Sequence, residues 1–369
     1  MSFLRNRSRL PGLRSVLVAG LALPGLAVPA AAETIRVPED ALTVQAAVNT
    51  SLPGDVILIS TGTYAESITI SNRTDLTLRG KGKVVLALLL GDDEIVSVTN
   101  SRGIRFDGLR FVADELPPPV SGPTGLYALG TEGLLVSDCR FVRLGTGVMA
   151  DTCQGVAVVR CETRETVTGI LFDTTSEGVA AQNSIEDATR GIYLVSAVAC
   201  SVTGNGIDGA SLRGIDVSAG TNNVLLDNSI KSAGTGIRVS STDHHQVLRN
   251  KIKGTLIGIQ LLGQQLLVAG NTVSNSGQVG IDCAAGDSVL QGNSVKKSGN
   301  EGIRVTSVGV LVTANKVSAS GQDGILIAGF PNTISFNAIK QSALLDLASE
   351  FPDENVFLGN KSKTGVAGY

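Results

Sequence analysis

The chain has 369 residues, a formal net charge of −3 at pH 7 and 44 glycines, but no tryptophan and only 4% aromatic residues. A slightly acidic chain has no electrostatic footprint for nucleic acid, so nucleic acid is excluded as a partner. So many glycines and so few aromatic residues are also unusual for a compact globule. The five cysteines contain no Cys-x-x-Cys pair that would indicate a zinc or redox motif.

Residues 1–32 have the features of a cleaved secretory signal peptide. Four arginines precede the short apolar stretch VLVAGLALPGLAVPA, and three alanines supply the small residues that a signal peptidase needs. Pro24 and Pro29 interrupt this stretch, and no later segment approaches about 18 consecutive apolar residues, so no transmembrane span is expected in the mature chain. We therefore expect an exported protein, periplasmic or extracellular, that begins near Glu33.

An internal repeat of 22 residues extends from about residue 125 to the C-terminus. Its first marker is a glycine, usually followed by Ile-x-Val. These glycines are Gly147, Gly169, Gly191, Gly214, Gly236, Gly258, Gly280, Gly302 and Gly324. Its second marker is an asparagine followed two residues later by Ile or Val. These asparagines are Asn183, Asn205, Asn228, Asn250, Asn271, Asn293, Asn315 and Asn337, and Cys139 and Cys161 occupy the earlier positions.

Each repeat contains two or three short strands of period two and no stretch of helix formers. Such a short coil buries its apolar face only by stacking, which places equivalent residues about 4.8 Å apart in parallel sheets. The sequence therefore predicts an all-β fold, a parallel β-helix solenoid of about a dozen coils. We expect a cap and first coils over 33–124 and regular repeats over 125–369, together forming one continuous domain. The stacked Cys139 and Cys161 are close enough for either a disulfide or a thiol ladder.

These repeats resemble those of the pectin-lyase-like right-handed β-helix superfamily. The segment LTVQAAVNTSLPGDVILISTGTYAESITISNRTDLTLRGKG is also similar to the opening of many members. The resemblance implies a short capping helix near residues 43–50, for which Thr43 is a suitable N-cap. The superfamily includes lyases, hydrolases, esterases, epimerases, adhesins and accessory proteins, so the fold alone does not define the function.

The catalytic motifs of the superfamily are incomplete in this chain. Mannuronan epimerases of this fold carry Gly-x-Asp-Pro-His, whereas Asp216 precedes Val-Ser and Asp282 precedes Cys-Ala. The motifs of polygalacturonases and pectin methylesterases are not found either. Copper-delivery accessory proteins of nitrous oxide reductase share the fold, but two histidines and one methionine in the mature chain argue against a soft copper site.

The run Asp243-His244-His245 contains the only two histidines of the chain. It falls in the turn between Gly-Ile-Arg-Val and Gln-Val-Leu-Arg-Asn, where other repeats carry varied polar residues. No acidic, histidine or cysteine cluster recurs in the adjacent turns to complete a metal shell. We therefore expect a solvated loop at this run.

The strongest candidate for a catalytic or metal-binding site arises where equivalent residues of adjacent coils stack on each other. Asp151 and Asp173 occupy the same place in adjacent coils, so their carboxylates are predicted to lie roughly 5 Å apart. Two charges at that distance repel by about 3 kcal/mol at an effective dielectric near 20, which Ca²⁺, a shared proton or a nearby cation would relieve. If the protein is an enzyme, these carboxylates and Arg190, acting as a base, are its candidate catalytic residues.

The same sheet face is predicted to present binding residues beside these carboxylates. They are Tyr127, Tyr193, Asp216 and Arg238. The leading hypothesis is a non-catalytic exported protein that contacts polysaccharide or another envelope or extracellular surface through this sheet. The alternative is a polysaccharide lyase or glycoside hydrolase that uses the stacked carboxylates.

A purely structural interpretation of this face remains open. The loop ADELPPPVSGP would then cover its apolar residues, and the charged residues would form a solvated ladder of ion pairs. The expected pairs on this face are Asp216 with Arg238 and Asp282 with Arg304. Similar ladders are expected for Asp138 with Arg160 and for Arg140 with Glu162.

Overall fold

A computed structural model of the chain describes residues 32–89, 91–113 and 122–364, with the backbone alone at 241 and 242. In these residues the chain winds in about 14 turns. Every strand pairs in parallel with strands of neighbouring coils. The predicted all-β solenoid is therefore confirmed. The predicted signal segment up to residue 31 and residues 114–121 of the loop ADELPPPVSGP lie outside the described residues.

Three parallel sheets run along the solenoid, and we name them sheets A, B and C. Sheet A contains the Gly-Ile-x-Val strands, sheet B the strands before the repeated asparagine, and sheet C the strands after it. Glu162–Asp173 and Ser184–Val195 continue from sheet C into sheet A, and Val56–Ala65 and Thr77–Ala87 continue from sheet B into sheet C.

The remaining strands of sheet A are Ile68–Ser71, Glu94–Thr99, Thr124–Leu129, Thr146–Asp151, Arg213–Ser218, Thr235–Asp243, Ile257–Gln264, Ile281–Cys283, Ile303–Val305, Ile325–Ile327 and Leu347–Ser349. Those of sheet B are Thr34–Val37, Arg105–Asp107, Leu135–Ser137, Ala157–Val159, Val179–Ala181, Ser201–Thr203, Val224–Leu226, Gln246–Leu248, Leu267–Ala269, Val289–Gln291, Leu311–Thr313, Thr333–Ser335 and Val356–Leu358. Those of sheet C are Arg110–Val112, Arg140–Val142, Gly206–Asp208, Ser229–Lys231, Lys251–Lys253, Thr272–Ser274, Ser294–Lys296, Lys316–Ser318 and Ala338–Lys340.

A short helix, Val44–Thr50, packs against the first strands. Thr43 is its N-cap, as predicted, and the Thr43 hydroxyl accepts a hydrogen bond from the Ala46 N–H at 3.0 Å. The Glu66 carboxylate accepts the first two helical N–H groups, each at 2.9 Å. The end groups that such a short helix leaves unpaired are thereby partly satisfied.

The repeated asparagines form a buried ladder. Asn271 shows the pattern, since its Nδ2 donates to the Val247 carbonyl at 2.8 Å and to Asn293 Oδ1 at 2.9 Å. Its Oδ1 accepts the Asn250 N–H at 2.9 Å. The asparagine thus donates to the coil on one side and accepts from the coil on the other, and the ladder satisfies backbone groups at the turn that joins sheet B to sheet C.

The residue before each ladder position has a positive φ, which turns the chain sharply into sheet C. Asp138, Arg160, Asp227 and Arg249 have φ values of 52°, 53°, 54° and 52°. Asp138 pairs with Arg160 at 2.6 Å, and Asp227 pairs with Arg249 at 2.9 Å. The arginine hydrogen bond lowers the pKa of each aspartate. The predicted solvated pair of Asp138 and Arg160 is confirmed.

The expected solvated loop at Asp243-His244-His245 is wrong for His245. Asp243 and His244 are exposed, but His245 is buried, and its Nδ1 accepts the Asn223 N–H at 3.0 Å. Similar bonds join neighbouring coils here, including Cys200 N–H to Asn223 Oδ1 at 2.8 Å. His245 therefore belongs to a second internal ladder, because this turn needs an inward acceptor for a backbone N–H of the preceding coil.

The five cysteines are buried and are free thiols in the structure. Cys283 lies in the core, where it takes the place of the inward Val of the Gly-Ile-x-Val strand. Cys139 and Cys161 occupy equivalent positions in adjacent coils, and the hydrogen bond between their thiols, followed by burial, raises the pKa of Cys139 well above its usual value. This arrangement corresponds to the thiol ladder of the two alternatives.

Candidate functional site

The outward face of sheet A carries a continuous column of side chains two residues after each repeat glycine. Its members change from apolar to charged along the solenoid axis. They are Tyr127, Met149, Leu171, Tyr193, Asp216, Arg238, Gln260, Asp282 and Arg304, all in register. The strand register therefore places the predicted binding residues in one column, as the sequence predicts.

Three arginines converge on Asp216, and we call these four residues the arginine cluster. Arg190 and Arg213 are in register with each other, immediately before the repeat glycines, and Arg238 is in register with Asp216. Arg213 Nη1 donates a hydrogen bond to Asp216 Oδ2. Arg190 Nε lies 3.6 Å from Asp216 Oδ2, and Arg238 Nη1 lies 3.5 Å from Oδ1.

The arginine cluster combines a buried carboxylate with partly exposed guanidinium groups. The Asp216 side chain is 0% exposed, whereas those of Arg190, Arg213 and Arg238 are 30%, 23% and 22% exposed. One negative charge therefore faces three positive charges, and the excess positive charge is directed outward. Within the described residues, neither Arg190 nor Arg238 makes a hydrogen bond. Arg190 Nε is itself buried, so only the exposed part of each guanidinium group is open to an anionic ligand.

An aromatic ring lies beside this excess charge. The guanidinium carbon of Arg190 lies 5.1 Å from the centre of the Tyr193 ring, within the range of a cation–π contact. Tyr193 is in register with Leu171 on one side and with Asp216 on the other. The site thus places a partly exposed aromatic ring next to charged donors, which is a combination suited to sugar rings that carry carboxylates.

Asp151 and Asp173 are in register on adjacent strands of sheet A, as predicted. Both are half-buried, and the following threonine donates a hydrogen bond to each, Thr152 to Asp151 at 2.8 Å and Thr174 to Asp173 at 3.0 Å. Burial, and then the charge of Asp151, raise the pKa of the neighbouring Tyr127. The two carboxylates and this tyrosine form a second group on the same face.

Arg190 is not beside the two stacked carboxylates. It is in register with Thr168, five residues before Asp173 on the same strand. At about 3.3 Å per residue, this separates the Cα atoms of Arg190 and Asp173 by roughly 16 Å. The structure therefore brings Arg190 to Asp216, Arg213 and Tyr193, and away from Asp151 and Asp173.

The predicted ion pairs on this face are present, but their carboxylates are buried and not solvated. Arg304 holds Asp282 through two hydrogen bonds of 2.9 and 3.0 Å, and Arg238 lies beside Asp216. The expectation of a solvated ladder is therefore wrong at both aspartates. Three long side chains cover Asp216, and Arg304 lies against Asp282, whose side chain is 11% exposed. The contribution of Arg213 was not predicted from the sequence, although Arg190 and Arg213 both directly precede a repeat glycine.

The thiols and imidazoles of the described residues do not form a metal centre. No group of three or more His, Cys, Asp or Glu side chains in residues 32–89, 91–113 and 122–364 is placed to hold a metal ion. Burial raises the pKa of Cys153, Cys200 and Cys283, the last to about 11, which disfavours the thiolate that binds metals. His245 Nδ1 is already occupied by the Asn223 N–H.

The coils and the outward site define a right-handed β-helix protein, and residues 257–364 match the family model of the right-handed β-helix region. Residues 98–283, which are half of the chain, match the model of the periplasmic copper-binding protein NosD. The chain belongs to this NosD family, which is periplasmic. No curated protein matches the chain. The thiols and imidazoles of the residues that the structure describes are not arranged to bind the copper ion that the family description implies.

Solved structures share the fold at low sequence identity. The periplasmic alginate epimerase AlgG is 14% identical, with a TM-score of 0.55 over 89% of this chain and 83% of that chain. The A-module of the mannuronan C-5 epimerase AlgE6 from Azotobacter vinelandii is 12% identical, with a TM-score of 0.54 over 88% and 93%. A PL6 alginate lyase in complex with a trisaccharide is 13% identical, with a TM-score of 0.58 over 83% and 85%.

The helices of the described residues include none that is long and apolar enough to cross a membrane.

Proposed function

We propose that this protein is exported by its N-terminal segment and binds an acidic polysaccharide through sheet A without cleaving it. The observation that carries the proposal is the arginine cluster, in which three arginines surround one fully buried carboxylate. Asp216 holds the arginines in place, and the remaining positive charge is available to a ligand. A polymer that bears one carboxylate per sugar supplies the complementary charge.

The chemistry of the side chains supports a sugar acid over a neutral sugar. Arginine presents a planar set of donors that matches a carboxylate in two parallel hydrogen bonds. Tyr193 and Tyr127 lie on the same face and offer rings on which sugar rings pack. Both tyrosines stand in the column that contains Asp216 and Arg238, so a polymer aligned with the solenoid axis would meet both tyrosines and Arg238.

The likeness to solved structures is consistent with this ligand class. Two of those proteins are described as epimerases of alginate or mannuronan, and another is described as an alginate lyase bound to a trisaccharide. Parallel β-helices thus accommodate acidic sugar polymers in other proteins. Because the identities are 12–14%, the likeness supports a class of ligand only as part of this proposal.

A second candidate function is a polysaccharide lyase or hydrolase centred on Asp151 and Asp173. Their in-register stacking favours it, because paired carboxylates are able to bind Ca²⁺ or to divide acid and base roles. In this case Arg190 would bind the substrate charge, because arginine stays protonated in proteins and lies roughly 16 Å along the sheet. Binding without cleavage fits the cluster at Asp216 better.

The experiment that tests the proposal separates binding from turnover. Mature protein is incubated with polyuronates and with neutral polysaccharides, with and without Ca²⁺, while binding, unsaturated ends and reducing ends are followed. We expect polyuronate binding without new ends, and about tenfold or greater weakening in Arg213→Gln/Arg238→Gln. Arg160→Gln/Arg249→Gln is the matched control, because both of these arginines are exposed at turns between sheets B and C.

Two results would decide against non-catalytic binding at the arginine cluster. If the wild-type protein produces new unsaturated or reducing ends, and the Asp151→Asn and Asp173→Asn variants do not, the protein belongs to the lyase or hydrolase class. Equal affinity for neutral polysaccharides, or equal loss of affinity in the control variant, would remove the role of the arginine cluster.

A further inference from the structure

The outward face of sheet C becomes strongly basic in the C-terminal half of the solenoid. The lysines lie one or three residues after the ladder asparagines, and all have exposed side chains. They are Lys231, Lys251, Lys253, Lys296, Lys316, Lys340, Lys361 and Lys363. Within the described residues, the ion pairs of the chain all use arginine, so none of these ammonium groups is neutralised by a carboxylate.

The N-terminal half of the same face has a different charge pattern. Arg140 is paired with Glu162 at 3.4 Å, and Arg164 lies 3.7 Å from Asp187. Acidic residues then follow at Glu186 and Asp208 on the column that later carries lysines. A solvated sheet face ordinarily carries both positively and negatively charged side chains along its length. The change to lysine alone therefore marks the C-terminal coils as a distinct surface.

A groove of about 680 Å³ lies on this surface. Five lysines line it, namely Lys296, Lys316, Lys340, Lys361 and Lys363, together with Ser294, Ser318 and Ser362. Ala338, Val317 and Ile339 also line the groove, but the side chains of Val317 and Ile339 are buried in the core, and no carboxylate lines the groove. The groove crosses the coils that begin at Ser294 and end at Lys363, which are three steps of about 4.8 Å along the axis.

We propose that this groove binds a linear acidic polysaccharide whose chain runs along the solenoid axis. Charge complementarity selects a polyanion, and the step between coils presents new lysines at every one or two coils. Lysine carries a compact charge and lacks the planar pair of donors that arginine has, so it binds carboxylates in many orientations. The groove thus holds a polymer by its charge, whereas the arginine cluster recognises single carboxylates.

The concave shape favours a polymer chain over a membrane. An anionic bilayer is a broad surface that contacts projecting basic residues, and it would not enter a groove between lysine side chains. The groove lies on sheet C and the arginine cluster on sheet A, so this second site does not rest on the proposed function of sheet A.

The test uses a fluorescent octamer of mannuronate and the complete mature chain. Fluorescence anisotropy is measured at low and at physiological ionic strength in the Arg213→Gln/Arg238→Gln background, in which the sheet A site is weakened. Added Lys316→Gln/Lys340→Gln is expected to weaken binding about tenfold at low ionic strength and to reduce its salt dependence. Lys81→Gln/Lys83→Gln makes the same change in net charge on exposed lysines of an early strand and is expected to leave affinity unchanged.

Several results would overturn the inference. One is equal weakening by both lysine variants, which would mean that only net charge matters. Another is absence of octamer binding by the background chain at low ionic strength. Binding to vesicles that contain an anionic phospholipid, without binding to the octamer, would assign the surface to a membrane. Loss of binding in Arg213→Gln/Arg238→Gln alone, with Lys316→Gln/Lys340→Gln unaffected in the wild-type background, would support sheet A and reject the groove.

Discussion

The Nδ1 atom of His245 accepts a hydrogen bond from the backbone N–H of Asn223, at 3.0 Å, across one coil of the solenoid. Both residues are buried. Asn332 and Asn355 hold equivalent positions further along the same ladder, where the Oδ1 atom of Asn355 accepts the Asn332 N–H at 2.8 Å. An imidazole thus replaces an amide as the inward acceptor of a turn.

This position gives the protein a stability that depends on pH. Burial disfavours the imidazolium and lowers the pKa of His245 below its ordinary value of about 6.5. The unfolded chain then binds the proton more readily, so the contribution of His245 is complete above about pH 6.5 and is lost as the pH falls through the folded-state pKa. We expect the free energy of unfolding to fall between pH 7.5 and 5.5, and to fall less in His245→Asn. Urea denaturation measures this, with exposed His244→Asn as the control, and an identical fall in His245→Asn would contradict it.

Removing one rung of the asparagine ladder is expected to be costly. Asn271→Ala deletes two donated bonds and leaves the buried Asn250 N–H and Val247 carbonyl without their partner. Unsatisfied buried groups of this kind cost about 1–3 kcal/mol each, so we expect a loss of about 3 kcal/mol in the free energy of unfolding. Asn49→Ala, on the exposed face of the short helix, should change it by less than about 0.5 kcal/mol. Chemical denaturation measures both variants, and equal losses of unfolding free energy in Asn271→Ala and Asn49→Ala would contradict the stabilising role of the ladder.

Neutralising Asp216 is expected to destabilise the fold more than neutralising Asp282. Asp216→Asn leaves three arginines facing each other without a carboxylate, whereas Asp282→Asn leaves Arg304 alone. Loss of a buried ionic partner costs about 3–5 kcal/mol, and the half-exposed Arg304 should make the second variant less costly. Added salt should reduce the penalty of Asp216→Asn by screening the arginines. Denaturation at two salt concentrations tests this, and equal losses without salt dependence would refute it.

A glycine at Ala314 is expected to stabilise the solenoid. Ala314 is exposed and has φ of 54° at the turn into sheet C, where Gly270 and Gly292 occupy equivalent positions. A side chain in this left-handed conformation costs roughly 1–2 kcal/mol, so Ala314→Gly should raise the free energy of unfolding by about 1 kcal/mol. Ala338→Gly, in an ordinary strand conformation, should lower it by about 0.5–1 kcal/mol. Thermal and urea unfolding of both variants would show the opposite signs, and a loss in Ala314→Gly would contradict the argument.

The repeat register predicts much of the fold and part of the candidate site. A constant period near 22 places Asp151 with Asp173 and Asp216 with Arg238, because residues one coil apart become neighbours in a parallel sheet. The internal asparagine ladder follows from the same register. These relationships depend only on position within the repeat.

Relationships that depend on side-chain direction and reach were not predictable in the same way. Arg213 and Arg190 share a repeat position, but their convergence on Asp216 requires long side chains to cross between columns. His245 follows two exposed residues and turns inward only because the backbone path at that turn directs it there. A residue's position in the repeat therefore gives its neighbours, and the turn geometry decides whether a polar side chain is buried.

The most direct test of the account is a crystal structure of the mature chain with a bound mannuronate tetrasaccharide. We predict sugar density on the outward face of sheet A, with a carboxylate against Arg238 or Arg190 and a sugar ring packed on Tyr193. The glycosidic bonds should be intact. Density confined to another face, or a cleaved sugar beside Asp151 and Asp173, would contradict non-catalytic binding at the arginine cluster.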